Sequence, residues 1–462
     1  MLRPAVGLAR AAGALSRLSR RGGGTSLPGK LLLRLQPDAI SRLGRELERG
    51  AVVVSATNGK TTTTRMIASV LKTAGIPVVH NRAGANMPGG VATALVSSTR
   101  RGRLEGSLLG LFEVDEAWLE EVTTALAPQT VVLGNLFRDQ LDRYGELEKL
   151  ADEWARMVAD GPAGPTFVLN ADDPLVADLG LDREGHQRER IVYFGVEDRS
   201  HALASLEHAF DAKHCRRCGA SYTYSAAYLG HLGDYRCESC GHARPSPSVA
   251  AERVVLHGMS GSQVSFHTPL GPFEAALPLP GLYNVYNALA ATACCLQLGL
   301  SLAQIKAGLE SSRAAFGRAE QVEVGGRELS ILLIKNPAGA NEVFRTLAAG
   351  NAEGVDVWIT LNDRIADGRD VSWIWDADFE QLAGIASRIV CSGTRAEELA
   401  LRLKYAGIEE QRLELAPSLS DGLDASLSQN GGKPLFALPT YTALLELSDL
   451  LAARGHGRPF WE

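Results

Sequence analysis

Two stretches of this 462-residue chain hold residue types whose spacing points to chemistry. The first is Ser55–Thr64 (SATNGKTTTT), which follows the β-branched run Ala51–Ala56 and precedes a helical period over Thr62–Ala74. A strict phosphate loop would place glycine at the position held here by Val54. Its physical parts are present nonetheless. Gly59 frees the backbone to turn amides toward a phosphate, Lys60 reaches the β/γ oxygens, and the Thr61 hydroxyl can take Mg²⁺. The N-terminus of the following helix adds its dipole. The reading is a nucleotide site at the end of a buried strand.

The second stretch is a C-x2-C-x18-C-x2-C array, Cys215, Cys218, Cys237 and Cys240, inside the spacing window of a four-thiolate zinc centre. Four protein ligands close the tetrahedron, so such a centre is structural. Tyr222, Tyr224 and Tyr228 supply strand character and Gly219, Gly230, Gly233 and Gly241 supply turns, which predicts a ribbon. Two disulfides are the competing pairing, and His214 and His242 are alternative ligands. Cys294, Cys295 and Cys391 sit in apolar stretches and read as small core residues.

Alternating apolar runs and helical periods position these groups. Strands are expected at Ala51–Ala56, Pro77–His80, Leu108–Val114, Thr130–Leu133, Phe167–Asn170 and Ile191–Phe194, with helices between most of them. This is the doubly wound α/β pattern. Residues 203–250 break the rhythm, so the cysteine ribbon is expected as an insertion on the domain surface. A second alternation follows at Leu329–Ile334, Val355–Thr360, Arg388–Cys391, Leu413–Ala416 and Pro434–Leu438. The expected domains are a basic helical segment 1–50, a central domain 51–312 and a Rossmann-like domain 313–462.

Charge narrows the options further. Residues 1–50 hold ten Lys/Arg against three acids, a net +7, where the whole chain is −6 and the remainder therefore −13. An acidic body excludes a nucleic-acid groove, and no apolar run approaches the roughly 20 residues of a membrane helix, so we expect a soluble chain. The basic N-terminus reads as an amphipathic helix, apolar at Leu2, Val6, Leu8, Ala12, Leu15 and Leu18, able to rest on anionic lipid. A secretory signal, a transit peptide and a helix packed on the body are the alternatives.

Thr57–Thr64 (TNGKTTTT) resembles the ATP loop of the Mur ligases and folylpolyglutamate synthetases, with Ala56 in place of that family's first glycine. Further matches come in the family's order. They are Glu113 in Phe112–Glu116, Asn135 with Asp139–Gly145, Asn170-Ala-Asp-Asp-Pro174, Asn284–Ala291, and Phe316–Glu320. The resemblance implies ATP held by Thr57, Asn58, Gly59, Lys60 and Thr61, with Asn287 at the adenine. It implies Mg²⁺ at Thr61 and Glu113, and Lys335 of a C-terminal strand end over the γ-phosphate. Gln140 stands where amino-acid-adding members place a metal-binding histidine. Glu113 as a helix-capping acid and Lys335 as a solvated lysine are the plainer readings.

The ribbon, Gln140, Leu27-Pro-Gly29 and Leu361–Asp376 (LNDRIADGRDVSWIWD) resemble the MurT branch of that family. This implies ATP-dependent amidation of the D-glutamate α-carboxylate of the lipid II stem peptide, with ammonia from a GatD-type glutaminase partner. The chain shows no cysteine in a glutaminase setting of its own. By the same resemblance Asp370 orients the partner's imidazole. The plainer reading is that Asp363, Asp367, Asp370, Asp376 and Asp378 solvate a loop while Trp373 and Trp375 pack below. The expected location is the cytoplasm, with contact at the inner face of the plasma membrane as a further option. The rivals are an autonomous amino-acid ligase and a non-enzymatic ATP-binding scaffold.

Overall fold

The computed structural model describes residues 2–18, 26–81, 84–139, 147–159, 164–207, 210–313, 317–350, 354–428 and 433–456. Gln140 to Gly145, Phe316 and the glycines 22–24 lie outside the described residues.

A nine-stranded sheet forms the larger body. Its strands are β1 (Ala51–Ser55), β2 (Val78–His80), β3 (Leu109–Glu113), β4 (Thr130–Leu133), β5 (Thr166–Asn170), β6 (Ile191–Val196), β9 (Val249–Leu256), β10 (Ser262–His267) and β11 (Phe273–Leu277). Their order is β11-β10-β9-β6-β5-β4-β1-β3-β2. Between β6 and β9 the chain leaves the sheet to form the hairpin β7 (Thr223–Leu229) and β8 (Leu232–Arg236), yet β6 and β9 pair directly, Phe194 opposite Val249. Strand β1 is buried along its whole length. Ala51 and Val53 join one apolar cluster, Val52 and Val54 the other. A strand covered on both faces reads as a continuous β-branched run.

Register places the chemistry. Strand β1 lies between β3 and β4, with Val54 opposite Glu113 and Ser55 opposite Leu133. The loop after β1 and the end of β3 therefore emerge side by side at the carboxyl edge of a parallel sheet, where doubly wound folds bind ligands. Strand β9 pairs parallel with β6, and the antiparallel pairings β9–β10 and β10–β11 complete this side of the sheet; the sequence pattern did not predict these three strands. On β10, buried and half-buried residues alternate, so it carries no continuous apolar run.

The second sheet holds β12 (Arg318–Val324), β13 (Arg327–Leu332), β14 (Val355–Thr360), β15 (Ala386–Ser392), β16 (Leu413–Leu415) and β17 (Leu435–Pro439). Its order is β12-β13-β17-β14-β15-β16, antiparallel only at β12–β13. Lys335 follows β13, just before the helix Pro337–Gly350.

The N-terminal helix Leu2–Leu18 buries Ala5, Val6 and Ala9 while Leu8 is 60% exposed. The stripe expected to face lipid is thus split, with Val6 inward and Leu8 outward. The helix Leu27–Leu35 crosses Pro88–Ser97 so closely that a Cβ on Gly29 would lie 1.8 Å from the Gly89 carbonyl oxygen. That contact accounts for the glycine of Leu27-Pro-Gly29. No helix among the described residues is long and apolar enough to cross a membrane.

Candidate active site

Gly59 begins the helix Lys60–Thr73 with φ +91°, a conformation glycine adopts without strain. A Cβ there would meet Asn287 Oδ1 at 2.1 Å, so the bare backbone and the Asn287 amide occupy adjoining space. Asn287 Oδ1 accepts from Thr63 Oγ1 at 3.1 Å, and its Nδ2 donates to Asn284 Oδ1 at 3.0 Å. The helix Leu282–Gln297 thereby holds the first helical turn through Asn287, whose amide is oriented by Asn284. Asn135 clamps the loop from the other side. Its Oδ1 accepts from the Asn58 amide at 2.8 Å and its Nδ2 donates to the Asn58 carbonyl at 2.9 Å.

Lys60 is buried, and its ammonium donates to the Ala56 carbonyl and to Glu116 Oε2 at 2.7 Å. Burial alone would lower its pKa; Glu116, Asp115 and Glu113 outweigh that and hold it above the ordinary lysine value. Glu116 is fixed in turn by its 3₁₀ segment Glu116–Trp118, whose first carbonyl accepts from the buried Trp154 indole at 3.2 Å. Glu113, at the end of β3, is also buried. The acid that caps the 3₁₀ segment is Asp115, accepting from the Ala117 amide, so Glu113 is not used as a cap.

The C-terminal sheet closes over this loop. Lys335 Nζ donates to the Thr57 carbonyl at 3.2 Å and pairs with Asp139. Asn336 and Asn58 exchange amide hydrogen bonds of 3.2 and 3.0 Å. A cavity of about 600 Å³ results. Thr57, Asn58, Gly59, Lys60, Thr61, Glu113, Asn287 and Lys335 all line it. Its size suits a small-molecule cofactor or substrate. Its walls divide between charged groups and an apolar set that includes Phe137, Leu229, Leu232, Tyr283 and Tyr286. The Thr61 hydroxyl and the Glu113 carboxylate are hard oxygen donors of the kind Mg²⁺ prefers, so the donor set fits that ion.

The four ribbon cysteines stand apart from this cavity. Their sulfurs all lie within 4.8 Å of one another. The separations Cys218–Cys237 of 3.4 Å and Cys215–Cys240 of 3.6 Å are far beyond a disulfide bond of about 2.05 Å. They approach the edge of roughly 3.8 Å that follows from a tetrahedral zinc–sulfur length of about 2.3 Å. The donor set therefore fits a thiolate-bound metal. His242 serves beside it, taking a 2.7 Å hydrogen bond with the Tyr222 hydroxyl while its Nε2 faces Asp178 at 3.4 Å.

The loop carrying Asp370 borders the cavity through Ile365 and Ala366, but Asp370 itself is not among the lining residues. The aspartates of this segment have separate fates. Asp363 pairs with Arg395, Asp367 accepts from the Thr442 amide at 2.7 Å, Asp376 faces Arg138 at 3.4 Å, and Asp378 accepts from Asn341 at 3.0 Å. Asp370 is exposed and accepts from the Ser372 amide at 2.8 Å, which holds its carboxyl below the usual range. Trp375 is 49% exposed beside Tyr405, so it does not serve as a floor beneath the loop.

The sequence marks Asn135 and Asp139 as family matches without giving either a role, and it does not point to Glu116 or Asn336. Glu116 carried a signal only as the last acid of Phe112–Glu116.

A family model described as the Mur ligase middle domain matches residues 54–232, and one described as the MurT ligase C-terminal matches residues 333–444. The lipid II isoglutaminyl synthase (glutamine-hydrolyzing) subunit MurT of Streptococcus pneumoniae is 34% identical over 438 residues, 95% of this chain and 94% of that one. The chain belongs to the MurT family of the Mur ligases. The MurT subunit of Staphylococcus aureus is 35% identical, covering 88% of each chain. Solved structures share the fold. A pseudomurein peptide ligase type C from Methanothermus fervidus aligns with TM-score 0.67 at 22% identity, over 88% of this chain and 79% of that one. Mycobacterium tuberculosis folylpolyglutamate synthase complexed with ADP aligns with TM-score 0.61 at 15% identity, over 91% and 93%. The MurT C-terminal match spans both Lys335 and the Asp370 loop. The loop after β1 leaves the doubly wound sheet at its carboxyl edge.

Proposed function

We propose that this chain is the synthetase subunit of a lipid II isoglutaminyl synthase, converting the D-glutamate α-carboxylate of the stem peptide to an amide at the expense of ATP. The observation that carries the reading is the convergence, on one cavity, of Lys60, Glu113 and the C-terminal Lys335. A carboxylate does not react with ammonia until one oxygen becomes a leaving group. Phosphoryl transfer from ATP supplies that group, and it calls for positioning and charge neutralisation rather than covalent help. In this reading the backbone amides at Gly59 cradle phosphate, Lys60 meets the β/γ oxygens, and Lys335 reaches the γ-phosphate from the opposite wall. Thr61 and Glu113 would hold Mg²⁺, which supplies charge neutralisation between the phosphates. Asn287 lies at the base.

The carboxylate oxygen attacks the γ-phosphorus and ADP leaves, giving an acyl phosphate. Ammonia then adds to the acyl carbon and phosphate departs, leaving the amide after loss of a proton. In this reading the nitrogen comes from a glutaminase partner of GatD type, and Asp370, which is exposed, orients that partner's imidazole. The four cysteines hold a structural zinc. Exposed Leu8 and Arg3 on the N-terminal helix are available for peripheral contact with the membrane that carries the substrate.

Hydroxylamine tests the intermediate. With lipid II, ATP and Mg²⁺ but no ammonia or glutamine, the chain should yield a hydroxamate on the stem peptide. Hydroxamate formation without ATP, or none with it, would contradict the acyl-phosphate route.

A further inference from the structure

One hairpin joins the cysteine centre to the nucleotide cavity. Strands β7 and β8 meet at Gly230-His231, and the residues flanking that turn, Leu229 and Leu232, are paired with each other and line the cavity. At the other end, β8 runs directly into Cys237. Five residues of strand span about 17 Å at roughly 3.4 Å each. The tip that meets the cavity is therefore the far end of the same rod whose root ends at the thiolates.

The tip is seated by specific contacts. Gly230 has φ +53°, and a Cβ there would lie 2.8 Å from the Phe137 ring. Phe137 also lines the cavity, and its amide donates to Thr57 Oγ1 of the phosphate loop at 3.1 Å. The Gly230 amide donates to Glu207 at 2.9 Å, and Glu207 pairs with Arg345 of the C-terminal helix Pro337–Gly350. His231 is fully buried, its ring 4.6 Å from that of Phe137 and its Nε2 3.3 Å from Asp173 Oδ2. Burial opposes a charge on this ring, but Asp173, Asp211 and Glu207 outweigh it and favour the imidazolium. The Gly233 amide donates to the Asp172 carbonyl at 2.8 Å, while the Asp172 carboxylate accepts from the Tyr286 hydroxyl at 2.6 Å. The Asn170–Pro174 motif thus fastens the ribbon tip and the helix bearing Asn287 to one point.

We propose that Leu229 and Leu232 form an apolar wall for the purine base of the bound nucleotide, that His231 is the positioning residue seating this wall on Asp173, and that metal retention at the four cysteines is thermodynamically coupled to nucleotide affinity. The wall faces the same space as Tyr283, Tyr286 and the Asn287 amide, an apolar set with one polar edge suited to a base. The Lys60–Glu116 pair and Glu113 mark the phosphate side. Coupling is reciprocal by linkage, so bound nucleotide must tighten metal binding if metal tightens nucleotide binding. The inference rests on reading the cavity as the ATP site.

The test uses the zinc-loaded full chain. Calorimetry gives the affinity for Mg-ATP, and competition gives that for inorganic tripolyphosphate, which has no base. Leu229→Ala with Leu232→Ala, and separately His231→Gln, should weaken Mg-ATP about tenfold and leave tripolyphosphate unchanged. In the unmodified chain, saturating Mg-ATP should lower the share of zinc held at equilibrium by a competing colorimetric chelator, whereas tripolyphosphate should not. This arm requires no variant to fold. Equal equilibrium partition of zinc with and without Mg-ATP, in a chain that binds Mg-ATP, would overturn the coupling; unchanged Mg-ATP affinity in a folded tip variant would overturn the wall. Failure of the unmodified chain to bind Mg-ATP would instead overturn the ATP-site reading beneath it.

Discussion

Asn336 of the C-terminal domain and Asn58 of the phosphate loop face each other as a reciprocal amide pair, each donating to the other at 3.0–3.2 Å. Asn336 Oδ1 also accepts from the Gly339 amide at 2.9 Å, so the side chain is held from its own helix while it holds the loop. Closure of the second sheet over the first is therefore encoded next to Lys335, the lysine that must arrive with it. Asn336→Ala should leave folding of either sheet intact and lower kcat for ammonium-dependent amidation by about 10- to 100-fold, the scale of a small misplacement at a reacting centre. Steady-state kinetics with a thermal melt checks this; unchanged kcat would mean that the pair does not position Lys335.

Lys60 and Glu116 are a buried ion pair, and removing one partner leaves an uncompensated charge. Lys60→Ala should abolish ATP-dependent turnover and destabilise the fold by about 3–5 kcal/mol. Lys60→Ala with Glu116→Ala should regain much of that stability and none of the turnover. Denaturant titrations of the two variants separate the roles, and a double variant as unstable as the single one would contradict the pairing argument.

Gly59→Ala asks an L-residue to adopt φ +91° and to place a methyl 2.1 Å from Asn287 Oδ1. The loop must shift, and ATP affinity should fall at least about tenfold, since left-handed strain alone costs about 1–2 kcal/mol. A calorimetric affinity equal to that of the unmodified chain would show that the close approach of Gly59 and Asn287 is unimportant.

The phosphate loop was legible because β1 is buried on both faces, which writes a continuous apolar run ahead of Gly59. Glu116 was not, because Phe112–Glu116 contains three acids, all of them buried, and no periodicity says which one pairs with Lys60. That choice is made by the register of β3 on β1 and by the 3₁₀ segment beneath Trp154. The N-terminal helix shows the same limit. An apolar stripe does not say whether lipid or protein covers it, and here Ala5, Val6 and Ala9 meet protein. The cysteine spacing was enough to place four sulfurs together, but the reach of the hairpin tip into the cavity depends on long-range contacts with Asp172 and Phe137.

Asp370 is exposed and held by its own turn, so replacing it should disturb little else. Asp370→Asn keeps the acceptor for the Ser372 amide. It should leave ATP binding and ammonium-dependent amidation unchanged while reducing glutamine-dependent amidation with the glutaminase partner by about 10⁴-fold, as for loss of a triad aspartate. Normal glutamine use by this variant would remove Asp370 from that role.

Four thiolates must shed protons to bind metal, so retention at the ribbon should weaken as pH falls. One zinc per chain is expected by elemental analysis, and Cys240→Ser should lower it. Strong chelation should unfold β7–β8 before either large sheet, read as early loss of amide protection in the hairpin. A hairpin equally protected with and without metal would contradict a structural centre.

The central claim is amidation by a synthetase that takes its nitrogen from another subunit. Mass spectrometry of lipid II after incubation with this chain, ATP, Mg²⁺ and glutamine, with and without the glutaminase partner, tests it most directly. The account predicts exchange of one carboxylate for an amide with glutamine only when the partner is present, and with ammonium even when it is not. Addition of a whole amino acid, or no ATP-dependent change with either nitrogen source, would contradict it.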